Sequence, residues 1–235
     1  MTTIASALAL VHERIAAACL RAGRPAGSVA LLAVSKTFGP DAVRAAHAAG
    51  QMAFGENYIQ EAVDKIAALS DLPLRWHCIG PVQSNKTRLV AAHFDWVHSI
   101  DRLKIAQRLS EQRDPARPPL QVCIQVNPDA GPNKSGLPPE EAGGLAHAVA
   151  ALPGLCLRGL MAIPEPDPDT AAQLAVHRRV AGLFHAIAAS GLPAGARWDT
   201  LSLGMSADLE AAIMAGSTMV RVGTAIFGLR PAQSD

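Results

Sequence analysis

The chain has 235 residues and a mass of 24.5 kDa, which suits one large domain or two small ones. Hydrophobic residues make up 49% of it and charged residues 17%, so it can fill a sizeable core and is not a disordered tail. The 21 basic and 20 acidic residues leave a formal net charge of +1, which removes the electrostatic reason to expect nucleic acid or an anionic membrane as a partner.

Cysteine usage and the N-terminal segment both favour a cytoplasmic protein. The four cysteines are too far apart in sequence for a zinc knuckle or a CxxC redox pair. They are Cys19, Cys78, Cys123 and Cys156. The last three lie in apolar runs, where a reduced thiol behaves as a small hydrophobe. Residues 12–14 are charged or polar where a signal peptide needs its apolar centre, and the longest uncharged stretch, 142–157, is too short to span a bilayer.

Short apolar runs alternate with helix-like stretches along the chain. The runs predict eight strands: Val29–Val34, Met52–Phe54, Trp76–Ile79, Trp96–Ser99, Leu120–Val126, Leu155–Met161, Thr200–Ser202 and Met219–Val222. The other stretches predict helices: about Thr3–Ala22, then Asp41–Ala49, Tyr58–Leu69, Thr87–Ala92, Arg102–Arg113, Pro139–Ala151, Thr170–Ser190 and Ala207–Ala215. Because the strands are continuously apolar, they are typical of parallel strands buried on both faces.

Eight strands separated by helices, in nearly the ~250 residues typical of the fold, predict an α/β protein that is a single (β/α)₈ barrel of the TIM type. Residues 1–235 would form one domain, with an extra helix at the N-terminus. A doubly wound open sheet is the alternative, although no GxGxxG motif follows the first strand. No linker, low-complexity tract or internal repeat divides the chain.

The end of the first predicted strand carries a candidate reactive amine. Lys36 follows Ser35 there, at the edge of a barrel where active sites lie. Side chains alternate with period two, so Lys36 shares a face with Leu32 and Val34. Apolar neighbours disfavour the charged ammonium form and free the amine to attack a carbonyl, as a Schiff-base lysine requires. The alternative is a lysine that leaves the strand and extends into water.

Glycine and hydroxyl residues follow the last two predicted strands. Gly204 and Ser206 come after one of them, and Gly223 and Thr224 after the other. Loops in these places of a barrel often bind phosphate through backbone N–H groups at a helix N-terminus. We therefore expect phosphate at Ser206, Gly223 and Thr224, against the alternative of an ordinary helix cap and a tight turn. Asp208 argues against this site, because a carboxylate beside a dianion is repulsive unless it points outward.

Three more polar residues lie at or near strand ends. Arg221 precedes Gly223 by two residues and faces the same way, so it would stand at the mouth of the barrel unless it forms a structural ion pair. Asn57 could donate to a ligand oxygen or begin a helix. His77 lies in an apolar strand, where a satisfied core histidine is the commoner case, and we assign it no role. Lysine, arginine and a phosphate site together suit a phosphorylated aldehyde such as pyridoxal phosphate.

At these residues the chain resembles the pyridoxal phosphate homeostasis protein family. The matching segments follow in order along nearly the whole chain: Ala33–Thr37, Gly55–Glu61, Trp76–Lys86, Lys134–Gly136, Leu157–Met161, Leu201–Asp208 and Arg221–Gly228. The resemblance implies a barrel similar to the N-terminal domain of alanine racemase. It also implies pyridoxal phosphate bound to Lys36 as an aldimine, phosphate around Ser206, Gly223 and Thr224, and Arg221 at the pyridine nitrogen.

Members of that family are thought to bind the cofactor and hand it on, without established catalysis. We therefore expect a cytoplasmic carrier with no catalytic residue and no metal site, whose partners are pyridoxal phosphate and apo-enzymes that need it. We also expect a monomer or a weak homodimer.

Two enzyme functions stay open beside this one. The first is a pyridoxal-phosphate-dependent racemase or decarboxylase of the alanine racemase type, and the second is a Schiff-base aldolase without a cofactor. A barrel-type racemase takes a second acid/base, a tyrosine, from a second domain of a partner subunit. The chain ends at Asp235, soon after the last strand, and its one tyrosine is Tyr58, in the second loop of the barrel itself. These features favour the carrier.

Overall fold

Eight parallel strands pair in sequence order and close into a barrel in the computed structural model, which describes residues 3–129 and 135–229. The strands are β1 (Ala30–Val34), β2 (Ala53–Glu56), β3 (Arg75–Cys78), β4 (Trp96–Ile100), β5 (Leu120–Val126), β6 (Leu155–Ala162), β7 (Thr200–Ser202) and β8 (Met219–Val222). Every predicted strand is present with its ends within two residues of the prediction. The barrel is confirmed, and the open sheet is wrong because β8 returns to pair with β1.

Helices surround the barrel and connect its strands. In the described residues they are α1 (Ile4–Arg21), α2 (Pro40–Ala48), α3 (Ile59–Ala68), α4 (Thr87–His93), α5 (Leu103–Gln112), α6 (Ala142–Ala150), α7 (Thr170–Ala189), α8 (Leu209–Met214) and α9 (Thr224–Phe227). A 3₁₀ turn, Pro139–Glu141, leads into α6. Among the helices of these residues, none combines the length and apolarity that crossing a membrane requires.

The extra N-terminal helix α1 belongs to the outer helix layer. Its buried residues include Leu8, Val11 and Ile15, which recur every three or four positions and so form one apolar stripe. Thr3 caps the helix by accepting a hydrogen bond from the Ser6 backbone N–H at 3.2 Å. The stripe packs α1 against α2, α8 and α9, where the last two helices are short.

The pairing of β1 with β8 joins the first strand of the barrel to the last. Ala30 lies opposite Met219, and Ala33 lies opposite Val222. Parallel strands have their carboxyl ends on the same side, so the residues that follow β1 and β8 become neighbours.

All four cysteines are free and buried, as expected for small apolar side chains.

Gly159 in β6 occupies a position that a side chain cannot share. Its φ is +150°, and a Cβ atom there would overlap the carbonyl oxygen of Thr200 in β7 and press on the Phe184 ring of α7. The β5–β6 register shifts beside it, between Val122 and Cys123. Glycine therefore allows β6 to approach β7 and α7 closely where the β5–β6 ladder is irregular.

We expect Gly159→Ala to lower the free energy of unfolding by about 3 kcal/mol, because the methyl group must displace backbone atoms. Gly182→Ala is the matched control, since this exposed glycine of α7 has no atom within 4 Å of an added Cβ. In a helix that change should be stabilising, by about 0.5–1 kcal/mol. Urea denaturation of both variants measures the effects. Equal effects of the two changes would contradict this account of Gly159.

Candidate functional site

Lys36 lies at the mouth of the barrel beside the turn that follows β8. A small cavity there is lined by Lys36, Val34 and Phe38 from the β1 side and by Gly223 and Thr224 from the β8 side. Lys36 is half-buried, whereas Thr224 is exposed. A Cβ atom on Gly223 would lie 3.1 Å from the Val34 carbonyl oxygen, so glycine allows the two strand ends to meet. The structure thus brings the candidate amine and half of the predicted phosphate site together.

Asn57 follows β2, the other neighbour of β1. Val34 lies opposite Gly55 at the end of the β1–β2 register, so Lys36 and Asn57 each come two residues after this pair. The side-chain Oδ1 of Asn57 is buried and has no hydrogen-bond partner in the described part of the chain. A Cβ atom on Gly80 would overlap the Asn57 carbonyl, so the loop after β3 packs directly on this backbone. The acceptor of Asn57 is therefore held in place and left unused.

Arg221 in β8 is a buried cation whose partners are neutral. It is 3% exposed and donates to the Ser202 carbonyl and hydroxyl at 2.7 and 2.8 Å and to the Ala162 carbonyl at 2.9 Å. Its guanidinium forms no ion pair with a carboxylate of the described residues, so the structural ion pair considered from the sequence is absent there. Burial lowers the pKa of Arg221 to about 10, which leaves it charged at neutral pH.

A chain of buried hydrogen bonds leads inward from Arg221 to His77. The Ser202 hydroxyl that accepts from Arg221 lies 3.2 Å from His98 Nδ1, and His98 Nε2 lies 2.9 Å from His77 Nδ1. Arginine can only donate, so the Ser202 hydroxyl accepts from Arg221 and donates its hydrogen bond to His98 Nδ1. His98 is the one other partner of this hydroxyl among the described residues. His98 then carries its hydrogen on Nε2 and donates it to His77. Each hydrogen bond in the chain points away from the guanidinium.

Burial favours the neutral form of both histidines in the folded protein. Burial, together with the charge of Arg221, lowers the pKa of His98 to about 3. Burial, with its neighbour His98, lowers the pKa of His77 well below its usual value. His77 also stacks on Trp96, with 5.1 Å between the ring centres. His77 thus lies in the satisfied core environment expected from the sequence, but it does so as one member of a chain that ends on Arg221.

Ser206 lies in the turn between β7 and α8 and is not among the residues that line the cavity at Lys36. Arg14 of α1 donates to the Ser206 carbonyl at 3.2 Å and forms an ion pair with Glu210 at 3.0 Å. Asp208, not Ser206, is the residue that precedes α8. One side of the predicted phosphate site, Gly223 and Thr224, therefore faces Lys36, and Ser206 belongs to the adjacent turn.

The Asp208 carboxylate points outward, towards α7. Its Oδ2 lies 2.9 Å from Nε2 of the buried His177, and its Oδ1 accepts from the Met205 backbone N–H at 2.7 Å. Burial opposes ionisation, but the hydrogen bonds from His177 and Met205 outweigh it and lower the pKa of Asp208. The carboxylate that argued against a phosphate site is thus engaged elsewhere. The sequence gives no sign of this, because His177 lies in a different helix.

Comparison with known proteins agrees with this architecture. The family model "Alanine racemase, N-terminal domain" matches residues 11–231. The alanine racemase of Corynebacterium glutamicum has the same fold, with a TM-score of 0.65 and 22% identity over 96% of this chain and 62% of that one. A closed eight-stranded barrel with these strand-end residues defines a protein of the alanine racemase N-terminal domain class.

Within that class the chain belongs to the pyridoxal phosphate homeostasis proteins. It is 58% identical over 230 residues to the Pyridoxal phosphate homeostasis protein of Pseudomonas aeruginosa, which covers 98% of this chain and 97% of the relative. The Escherichia coli K12 protein of the same name is 54% identical over 234 residues, or 98% of each chain. The structure of PipY from Synechococcus elongatus with PLP bound superposes with a TM-score of 0.82 and 37% identity, over 96% of this chain and 100% of that one.

Acid should destabilise the protein through its buried histidines. A neutral buried histidine gives stability that is complete above the unfolded-state pKa of 6.5 and decreases as pH falls below it towards the folded-state value, about 3 for His98. Between pH ~6 and ~5, His98→Gln should reduce the pH dependence of the unfolding free energy by about 1.2 kcal/mol per pH unit. Urea denaturation at both pH values measures this slope. Identical slopes for the two proteins would show that His98 is charged when folded.

Proposed function

We propose that this protein binds pyridoxal 5'-phosphate in the mouth of the barrel, attaches it covalently to Lys36 and takes part in intracellular homeostasis and delivery of the cofactor. Residues 1–235 would act as one cofactor-binding domain. The observation that carries this proposal is the shared cavity of Lys36, Gly223 and Thr224. The PLP-bound PipY structure and the names of the close relatives support it.

The residues at the mouth suit the chemical groups of the cofactor. Bound pyridoxal phosphate supplies an aldehyde that condenses with an amine, with loss of water, and a ring that stabilises negative charge. Lys36 offers the amine at a half-buried position. Asn57 offers an acceptor that has no partner among the described residues, and Arg221 offers a cation that is hydrogen-bonded to no carboxylate there. We propose that Arg221 faces the pyridine nitrogen and that Asn57 contacts the ligand.

The phosphate is proposed to lie against the turns after β7 and β8. Gly223 carries no side chain, so the phosphate can approach the backbone N–H groups of Gly223 and Thr224. Helices α8 and α9 have six and four residues, so these N–H groups, rather than a long helix dipole, must favour the dianion. The Asp208 carboxylate is engaged by His177 and by the Met205 N–H, which we propose keeps it from facing the phosphate. Ser206 would contribute from the adjacent turn.

Arg221 and the exposed position of Tyr58 together, rather than Arg221 alone, support a carrier rather than a racemase or decarboxylase. An enzyme of this chemistry usually protonates the pyridine nitrogen through a carboxylate, which makes the ring an electron sink. A guanidinium donates a hydrogen bond but does not give up its proton, so negative charge on the ring is poorly stabilised. Tyr58 is 51% exposed and offers no buried second acid. We therefore propose that substantial turnover is absent and that apo-enzymes requiring the cofactor are its acceptors.

A panel of racemase, transaminase and decarboxylase assays, with Lys36→Ala as the blank, tests the absence of catalysis. Lys36-dependent turnover in the range of ordinary enzymes, roughly 1–10³ s⁻¹, would favour the enzyme instead. Transfer is followed by the absorbance of the loaded protein when it is mixed with an apo-enzyme. If the protein acquires no visible absorption band on incubation with pyridoxal phosphate, that result would favour the cofactor-free aldolase.

The covalent site is tested by reduction with borohydride and peptide mapping. We expect the pyridoxyl group on Lys36 and none on the Lys36→Ala variant. Lys65 is a useful internal comparison, because its amine is buried against Glu56 at 2.7 Å. A label on Lys86, or on Lys134, which lies outside the described residues, would contradict the assignment.

The phosphate site is tested by comparing pyridoxal 5'-phosphate with pyridoxal. Two charge-assisted hydrogen bonds of about 1.5 kcal/mol each should give the phosphorylated aldehyde at least about 100-fold higher affinity. Gly223→Val should abolish most of that preference, since its side chain would occupy the approach to the backbone. Gly39→Val is the control, because a Cβ there has no atom within 4 Å. Equal affinities in the unaltered protein would exclude a phosphate site.

A further inference from the structure

Lys65 of α3 forms a buried charge cluster directly behind the reactive strand end. It is 4% exposed, and its Nζ lies 2.7 Å from Glu56 Oε1, 3.0 Å from the Ser35 carbonyl and 3.3 Å from Glu61 Oε1. The Ser35 hydroxyl donates to the same Glu56 oxygen at 2.6 Å. Burial raises the pKa of Glu56, while Lys65 and Ser35 oppose that shift. The proposed chemistry at the mouth uses none of these groups.

This cluster reaches the main chain on both sides of Lys36. On one side, the carbonyl of Ser35 accepts from Lys65. On the other side, the N–H of Thr37 donates to Glu61 Oε1 at 3.1 Å, and that oxygen also contacts Lys65. The Phe38 N–H closes the turn by donating to the Ser35 carbonyl at 3.1 Å. The chain is therefore fixed immediately before and immediately after the reactive lysine.

Thr37 needs such support because its backbone is strained. Its φ is +69°, and it is the only residue other than glycine with a positive φ in the described part of the chain. A β-branched residue adopts this conformation at a cost, and such strain persists only where the surroundings impose it. The Thr37 hydroxyl is buried without a partner among the described residues, so its side chain does not stabilise the turn. The Glu61 carboxylate supplies the hydrogen bond that holds it.

We propose that Lys65, Glu56 and Glu61 are positioning residues that hold the turn around Lys36 and thereby aim its amine at the cavity. This inference rests on the proposed function, in which the Lys36 nitrogen condenses with the aldehyde carbon and water leaves. A misplacement of the amine by about 1 Å should slow that step strongly, whereas contacts to the ring and phosphate should be unaffected. An ion pair that only joined α3 to the barrel would affect all ligands alike.

The experiment uses two ligands that differ only at the reacting group. Pyridoxal 5'-phosphate carries the aldehyde, and 4-deoxypyridoxine 5'-phosphate has a methyl group in its place and cannot condense. For Glu61→Ala we expect at least about tenfold slower formation of the visible absorption band and an affinity for the deoxy ligand within about twofold of the unaltered protein. Glu61→Gln keeps an oxygen for the Thr37 N–H and should restore most of the rate. Asp64→Ala, an exposed carboxylate of the same helix, is the control.

Lys65→Met should slow band formation more than Glu61→Ala does. The test does not depend on the folding of Lys65→Met, because Glu61 is half-exposed and its two variants, Glu61→Ala and Glu61→Gln, carry the comparison. An equal loss of affinity for both ligands, equal rates for Glu61→Ala and Glu61→Gln, or an unchanged rate in Glu61→Ala would overturn the positioning role. Failure of the unaltered protein to acquire a label on Lys36 would instead overturn the proposed function, and the inference with it.

Discussion

The hydrogen bonds between β1 and β8 are the interaction on which the candidate site depends. They join the first strand to the last, so Lys36 and Gly223 line one cavity although almost the whole chain separates them. Parallel pairing also fixes the direction of both strands, which puts their following turns on the same side. The absence of a side chain at Gly223 allows its close approach to the Val34 carbonyl. A barrel left open at this seam would have no site.

Beneath that mouth, a buried cation is solvated by oriented dipoles instead of a carboxylate. Burying a charge is costly unless hydrogen bonds replace its hydration. For Arg221 the replacement comes from two carbonyls and from the Ser202 hydroxyl. This hydroxyl accepts from Arg221 and donates its own hydrogen bond to His98. Neutral dipoles stabilise the guanidinium without cancelling its charge. The guanidinium therefore stays charged although no carboxylate of the described residues accepts a hydrogen bond from it.

Carboxylates near the mouth are paired with basic groups of the helix layer. Glu56 contacts Lys65 of α3, Asp208 contacts His177 of α7, and Glu210, beyond Asp208, pairs with Arg14 of α1. In each pair the basic partner belongs to a helix outside the barrel. The inner side keeps a lysine, an arginine and backbone N–H groups, an arrangement suited to a phosphorylated aldehyde. The same pairs connect the strand-end turns to the surrounding helices.

The sequence by itself determined the elements and the residue types at the strand ends. Continuous apolar runs require burial on both faces, so eight such runs separated by helices predict a barrel. Lys36 and Gly223 could be found because each follows such a run, and Arg221 because it lies near the end of one. Only the tertiary structure decided which groups meet. Ser202, His98 and His77 come from three different strands, and Lys65 and His177 reach the site turns from separate helices. Such contacts have no sequence period, because a hydrogen bond depends on distance and direction after packing and not on spacing along the chain.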